Sequence, residues 1–136
     1  MSKIAFLFPG QASQYPGMGK DHAANFAESR TVFEEADAAL GFSISQLCFE
    51  GSEDALKLTE NTQPAILTVS VAAYRALAAR GIQPDFAAGH SLGSCGGMAP
   101  GALVSAKCPA GPRLHCHPDH RAVKDLRAIL RILALE

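Results

Sequence analysis

The chain has 136 residues, of which 48% are hydrophobic and 18% charged, and its formal net charge is −1 at pH 7. This composition is typical of one globular domain with a moderate core rather than of a disordered chain. The near-neutral charge argues against nucleic acid or an anionic membrane as the main partner. No apolar stretch approaches the ~20 residues of a membrane span. With four cysteines and no secretory signal, we expect a soluble, cytoplasmic chain.

The first elements are a strand and two helices. The apolar run at 3–8 predicts a strand that leads into a loop rich in Gly and Pro. A helix is predicted to begin near Asp21. A second helix is predicted from the capping-box pair Thr31 and Glu34, and it ends at Gly41.

Two further helices are predicted in the middle of the chain. Ser52 is placed to cap a short helix that carries Leu56. Thr62 is placed to cap a longer helix, with Pro64 in its first turn, where a missing N–H does no harm. Gly81 suits the left-handed cap that ends this helix. The predicted apolar stripe of the long helix consists of Ile66, Val69, Ala73 and Leu77.

A second strand is predicted after Pro84, in the apolar run at 86–88. Because strands alternate with helices along the chain, the fold class is predicted to be α/β and layered. Cys48 is interpreted as a small buried apolar residue.

The composition changes after residue 93. All nine aromatic residues lie before it, and residues 1–93 carry six Lys/Arg against ten Asp/Glu, whereas residues 94–136 carry six against three. We therefore divide the chain into 1–93 and a divergent tail, 94–136. The tail is predicted to be a poorly ordered loop at 94–118, followed by an amphipathic helix at 119–135 that packs on the surface of the core. A membrane-binding or partner-binding helix is the alternative.

The pentapeptide GHSLG at residues 89–93 follows the second predicted strand. A G-x-S-x-G sequence in that setting is typical of a nucleophile elbow, a tight strand-to-helix turn that exposes the serine hydroxyl. Ser91 is therefore a candidate nucleophile for acyl transfer. The alternative is an ordinary serine in a glycine-rich turn.

Three motifs together, GQASQYPGMG at 10–19, NTQPA at 61–65 and GHSLG at 89–93, resemble the malonyl-CoA:acyl carrier protein transacylases of fatty acid synthesis. The resemblance covers about two thirds of this chain but about the first third of a family member. It implies part of an α/β-hydrolase-like large subdomain, with the ferredoxin-like small subdomain absent from this chain.

The resemblance also implies roles for particular residues. Ser91 would be the nucleophile that accepts the malonyl group, and the backbone N–H groups of Gln11 and Leu92 would form the oxyanion hole. His90 and Gln63 would line the substrate pocket, although Gln63 is alternatively a polar residue at a helix start without a ligand. Malonyl-CoA would be the substrate and acyl carrier protein the partner, with no cofactor and no metal.

Two parts of the family's site have no counterpart here. The family uses an arginine about 25 residues after the nucleophile to pair the malonyl carboxylate, but that count reaches Cys116. The family's catalytic histidine lies beyond residue 136. We do not expect His115, His117 or His120 to replace it, because the loop rich in proline that carries the first two and precedes the third gives no reason to expect the right geometry. The His115-Cys116-His117 cluster lacks the spacing of a zinc site.

These observations predict an acyltransferase, an S-malonyltransferase that works by ping-pong transfer through Ser91. The chain as given is expected to be an inactive fragment. The alternatives are a non-catalytic product of a truncation or frameshift near codon 94, and a small serine hydrolase that uses water as the acceptor. The hydrolase alternative does not explain the motifs at 10–19 and 61–65.

Overall fold

A computed structural model describes residues 2–89, and within that range the fold is α/β. Strand β1 (Ala5–Phe8) and strand β2 (Phe86–Gly89) enclose five helices in chain order. The helices are α1 (Lys20–Asn25), α2 (Ala27–Leu40), α3 (Ile44–Glu50), α4 (Glu53–Lys57) and α5 (Thr59–Ala78). Across these residues no helix is long and apolar enough to cross a membrane.

Strands β1 and β2 pair in parallel, with Ala5 opposite Phe86 and Phe8 opposite Gly89. Two hydrogen bonds fix this register at the start of both strands. The backbone N–H of Ile4 donates to Asp85 Oδ2 at 2.8 Å, and the backbone N–H of Asp85 donates to the Ile4 carbonyl at 2.8 Å. Both strands therefore end at the same edge of the sheet.

Helix α5 packs against one face of the sheet. Phe8 and Tyr74 are both buried there, and the ring of Phe6 meets that of Tyr74 edge-to-face with centroids 6.1 Å apart. Side chains alternate between the two faces of a strand. Leu7, between the two phenylalanines, is accordingly 78% exposed on the opposite face.

The main core lies between α5 and the helices before it. Its largest fully buried apolar side chains include Val32, Ile44, Leu56 and Leu67. A buried hydrogen bond from Ser29 Oγ to the Ala72 carbonyl, 2.8 Å long, ties α2 to α5. The burial of the Ser29 hydroxyl is tolerated because the hydroxyl donates a hydrogen bond to this carbonyl.

Cys48 lies in this core with no exposed surface, which confirms its interpretation as a small buried residue. Burial, together with the nearby Asp37 carboxylate, raises the pKa of the Cys48 thiol from its ordinary 9.0 to about 12. The charged form is disfavoured because it would lose hydration without gaining a cation. Cys48 therefore acts as a structural, protonated thiol.

Three predicted helix boundaries are confirmed. Ser52 caps α4, accepting a hydrogen bond from the Ala55 N–H at 3.2 Å. Gly41 ends α2 with φ +73°, and Gly81 follows α5 with φ +78°, both in the left-handed region that glycine tolerates.

The predicted start of α2 at Thr31 is wrong. The helix begins at Ala27, after Phe26 has adopted an extended conformation, and Thr31 lies in its second turn. The Thr31 hydroxyl donates to the Ala27 carbonyl at 3.1 Å instead of capping a helix end. At the break, the ring of Phe26 makes a tertiary contact that the local sequence does not reveal, with the Arg80 guanidinium 4.2 Å from the ring centroid.

The predicted start of α5 at Thr62 is also wrong. The Leu58 carbonyl accepts hydrogen bonds from the backbone N–H groups of Asn61 and Thr62, both at 2.8 Å, so the helix begins earlier, at Thr59. Thr62 is fully buried, and its hydroxyl donates to the carbonyls of Leu56 and Leu58 rather than accepting at a cap. Pro64 consequently lies inside the helix, not in its first turn.

The predicted apolar stripe of α5 is displaced. Ile66 is buried, but Leu77 is 37% exposed. The reason is that α5 packs between the other helices and the sheet, so buried positions extend around most of its surface. They are Thr62, Pro64, Ala65, Ile66, Leu67, Thr68, Val71, Ala72, Tyr74 and Ala76.

Helix α3 was not predicted. Its signal is the capping-box spacing of Ser43 and Gln46, and Ser43 Oγ accepts from the Gln46 N–H at 3.3 Å. The predictions for the loop 94–118 and the helix 119–135 lie outside the described residues.

Candidate active site

The carboxyl edge of the parallel strands is where the candidate site begins. Phe8 and Gly89 stand opposite each other in the register, so both strands end at this edge. The segment that follows β1 is the loop that contains Gln11, and the segment that follows β2 begins with His90. In open α/β sheets, ligands bind at this carboxyl edge.

The loop after β1 contains a tight turn from Gly10 to Ser13. The N–H of Ser13 donates to the Gly10 carbonyl at 3.4 Å, and its hydroxyl donates to the same carbonyl at 2.7 Å. Ala12 has φ +84°, the one positive φ outside glycine within residues 2–89. This is the conformation that the third residue of a type II turn requires. A strained residue therefore directly follows Gln11.

A side-chain hydrogen bond connects this loop to α5. Gln11 Nε2 donates to Thr59 Oγ1 at 3.4 Å, between two exposed residues. Thr59 is the first residue of α5, and Gln63 lies one turn later. Residues four apart are neighbours on one helix surface, so Gln63, which is half-buried, lies on the side of α5 that faces the loop.

The second half of the loop is anchored in the helical core. The N–H of Gly17 donates to the Cys48 carbonyl at 2.8 Å, and Met18 is buried. Gly19 has φ +78°, and a Cβ there would lie 2.7 Å from Phe33 Cζ. Both the left-handed backbone and the contact with Phe33 therefore require glycine at 19.

The structure thus brings two of the five predicted site residues, Gln11 and Gln63, to one region. The other three, His90, Ser91 and Leu92, lie outside the residues that the structure describes. Thr59 was missed by the sequence analysis, although its spacing of four from Gln63 was a usable signal. Among residues 2–89, no group of three or more His, Cys, Asp or Glu side chains could hold a metal ion.

Comparison with known proteins identifies the family. The model of the acyl transferase domain matches residues 5–108, and the chain therefore belongs to the acyl transferase family. It is 48% identical over 107 residues to the malonyl CoA-acyl carrier protein transacylase of Bacillus subtilis (strain 168), covering 79% of this chain and 34% of that protein. The chain thus spans about a third of the length of this curated relative.

Solved structures show the same likeness. The malonyl CoA-acyl carrier protein transacylase from Clostridium perfringens has a TM-score of 0.67 and 44% identity, over 70% of this chain and 30% of that one. A malonyl-transacylase in complex with a type II polyketide acyl-carrier protein has a TM-score of 0.69 and 32% identity, over 96% and 38% of the two chains.

Proposed function

We propose that this chain carries the N-terminal part of a malonyl-CoA:acyl carrier protein S-malonyltransferase site, with Ser91 as the nucleophile. The observation that carries the proposal is the register of Phe8 opposite Gly89. In this register, the loop that contains Gln11 and the GHSLG segment both begin at the same edge of the sheet. The names of the similar proteins support malonyl-CoA as substrate and acyl carrier protein as partner.

The proposed reaction has two half-reactions. Ser91 Oγ attacks the thioester carbonyl of malonyl-CoA, the carbon–sulfur bond breaks, and the hydroxyl proton passes through a base to the departing coenzyme A thiolate. The thiol of acyl carrier protein then attacks the resulting ester, so that a thioester forms, the bond from the carbonyl carbon to Ser91 Oγ breaks, and the thiol proton passes through the base to Ser91 Oγ. The oxyanion of each tetrahedral intermediate would accept hydrogen bonds from the backbone N–H groups of Gln11 and Leu92.

In this proposal, Gln63 and His90 line the pocket around the acyl group. The contact between Gln11 and Thr59 supports the placement of Gln63, because Thr59 and Gln63 share one side of α5. The reaction needs no cofactor, since the thioester is already activated. Residues 5–89 would belong to an α/β-hydrolase-like large subdomain, and the enzyme would work in the cytoplasm.

The test is acyl loading of the purified chain. After incubation with malonyl-CoA, peptide mass spectrometry should find malonyl on Ser91, formed slowly because no residue in this chain matches the family's histidine base. A positioned base contributes roughly 10²–10⁴-fold. Addition of acyl carrier protein should give little or no malonylated carrier.

Ser91→Ala is the control, and Ser94→Ala is its matched partner outside the motif. Loading that persists in Ser91→Ala, or no loading under any condition, would contradict the proposed nucleophile. Malonate released at the same rate with and without the carrier would favour the serine hydrolase. Rapid transfer to the carrier would show that the tail supplies a working base.

A non-catalytic product is the second candidate, because the composition changes after residue 93. A frameshift near codon 94 predicts that another reading frame of the same DNA encodes a family-like continuation, including the arginine and the histidine. Sequencing the nucleotides downstream of codon 93 distinguishes the two candidates. If neither of the other two reading frames encodes such a continuation, the frameshift hypothesis is wrong.

A further inference from the structure

On one face of the sheet, the side chains of β1 are exposed. Parallel sheets occur almost only with both faces covered, yet Leu7 is 78% exposed and Ala5, on the same face, is exposed too. Phe86 and Ala88 stand opposite them in the register. We call this surface, defined by positions 5, 7, 86 and 88, the open face.

None of the five described helices covers this face. All five helices precede β2 in the chain, and α5 packs on the opposite face, against Phe6 and Phe8. The chain leaves β2 at Gly89 and continues through residues 90–136. The remaining chain therefore starts directly beside the open face.

One segment of that remaining chain has the pattern that the open face needs. Residues 119–135 have apolar residues at helical spacing. The apolar positions on one stripe are Val123, Leu126, Ile129, Leu130 and Leu133. A helix of this length would span ~25 Å, which exceeds the ~13 Å of a four-residue strand. One such helix is longer than either strand.

The net charges of residues 2–89 and of residues 119–135 are complementary as well. Residues 2–89 carry ten Asp/Glu against six Lys/Arg, whereas residues 119–135 carry four Lys/Arg against two Asp. Opposite net charges favour association of the two parts. Because both belong to one chain, the effective concentration of the segment at the sheet exceeds that of a second molecule in dilute solution.

We propose that residues 119–135 form a helix that docks its apolar stripe on the open face of its own chain and supplies the second helical layer of the sheet. The proposal is independent of the proposed function. It concerns the packing of the divergent tail, whether or not Ser91 accepts an acyl group.

The test is thiol labelling at the open face. In a Leu7→Cys chain, maleimide labelling of the introduced thiol is followed by peptide mapping, which separates it from the four native cysteines. Labelling should be slow in this parent and at least about tenfold faster when Leu130→Asp is added. Ala128→Asp adds the same charge to the polar side of the segment and should leave the labelling rate unchanged.

Cys48 is the internal control, because it is fully buried in the helical core and labels fast only when that core opens. If Leu130→Asp also speeds the labelling of Cys48, the comparison is repeated with Leu130→Ala in place of Leu130→Asp, and with Ala5→Cys as the reporter thiol. Equal labelling of the reporter with and without the change at 130 overturns the proposal. Protection that falls on dilution also overturns it, since the cover would then be a second copy.

Discussion

Gln11 and Thr59, 48 positions apart, are joined by a hydrogen bond of 3.4 Å from Nε2 to Oγ1. The bond links the loop after β1, which carries the first motif, to the first residue of α5, the helix that carries the second motif at 61–65. Its length is at the long end of the range for such bonds. It therefore positions an exposed loop without contributing much to global stability.

We predict that Thr59→Val speeds amide hydrogen exchange in the loop at 10–16 and lowers the free energy of unfolding by only about 0.5 kcal/mol. The valine keeps the side-chain volume but cannot accept from Gln11. Thr59→Ser retains the hydroxyl and serves as the control. Exchange mass spectrometry gives the result, and identical loop exchange in Thr59→Val and the parent would show that the bond does not hold the loop.

The effect of a substitution at Ala12 on the free energy of unfolding should depend on backbone conformation alone. Because its φ is +84°, Ala12→Gly is expected to raise the free energy of unfolding by up to about 1 kcal/mol. Ala12→Val, whose branched side chain fits this conformation poorly, should lower it by about 1–2 kcal/mol. Urea unfolding measures both. The opposite order of the two variants would argue against a left-handed residue at 12.

Gly17 and Gly19 form a matched pair, since both have positive φ but only one is crowded. A Cβ at Gly19 would lie 2.7 Å from Phe33 Cζ, whereas at Gly17 it would meet nothing within 4 Å. We predict that Gly17→Ala costs about 1–2 kcal/mol of stability from backbone strain alone. Gly19→Ala should cost a further 1–3 kcal/mol, roughly, from overpacking. Equal losses, measured by urea unfolding, would show that Phe33 moves aside freely.

Cys48 should make stability depend on alkaline pH. Its pKa is raised by burial from 9.0 to about 12 in the folded chain, so the unfolded state loses its proton first as pH rises. The stabilising contribution is complete below pH 9.0 and is lost progressively between pH 9.0 and about 12.

The measurement is the free energy of unfolding against pH, with Cys48→Ala as the control. The alanine variant is less stable overall, because it leaves a cavity, but its stability should fall less steeply in this window. Parallel curves for the two proteins would contradict a buried, protonated thiol. Alkylation of Cys48 in the folded chain should likewise be slow below pH 9.0.

Local signals predicted much of the fold, and tertiary contacts explain most of the errors. The cap at Ser52 and the glycines at 41 and 81 were predicted because each acts locally, the serine through a hydroxyl that accepts from an N–H three residues later and the glycines through their own backbone. The starts at Thr31 and Thr62 were wrong because a threonine hydroxyl can donate to a carbonyl within a helix as well as cap its end. Sequence spacing does not distinguish these roles.

The motifs predict members of the candidate site, whose roles all remain predictions, but they do not predict its geometry. The motifs identify Gln11 and Gln63, but nothing in their spacing reveals the hydrogen bond from Gln11 to Thr59. That contact depends on how the loop after β1 folds back on α5. The roles of His90, Ser91 and Leu92 remain predictions from the motif.

The two hydrogen bonds between Ile4 and Asp85 join positions 81 residues apart. This separation has a consequence for biosynthesis. Contacts so distant in sequence form late in folding, whereas the helices between them form from local contacts. At 5–20 residues per second, the ribosome makes β2 about 4–16 s after β1. For that interval β1 is an unpaired apolar strand at the start of a growing chain, and its phenylalanines are available to a chaperone before α5 and β2 cover them.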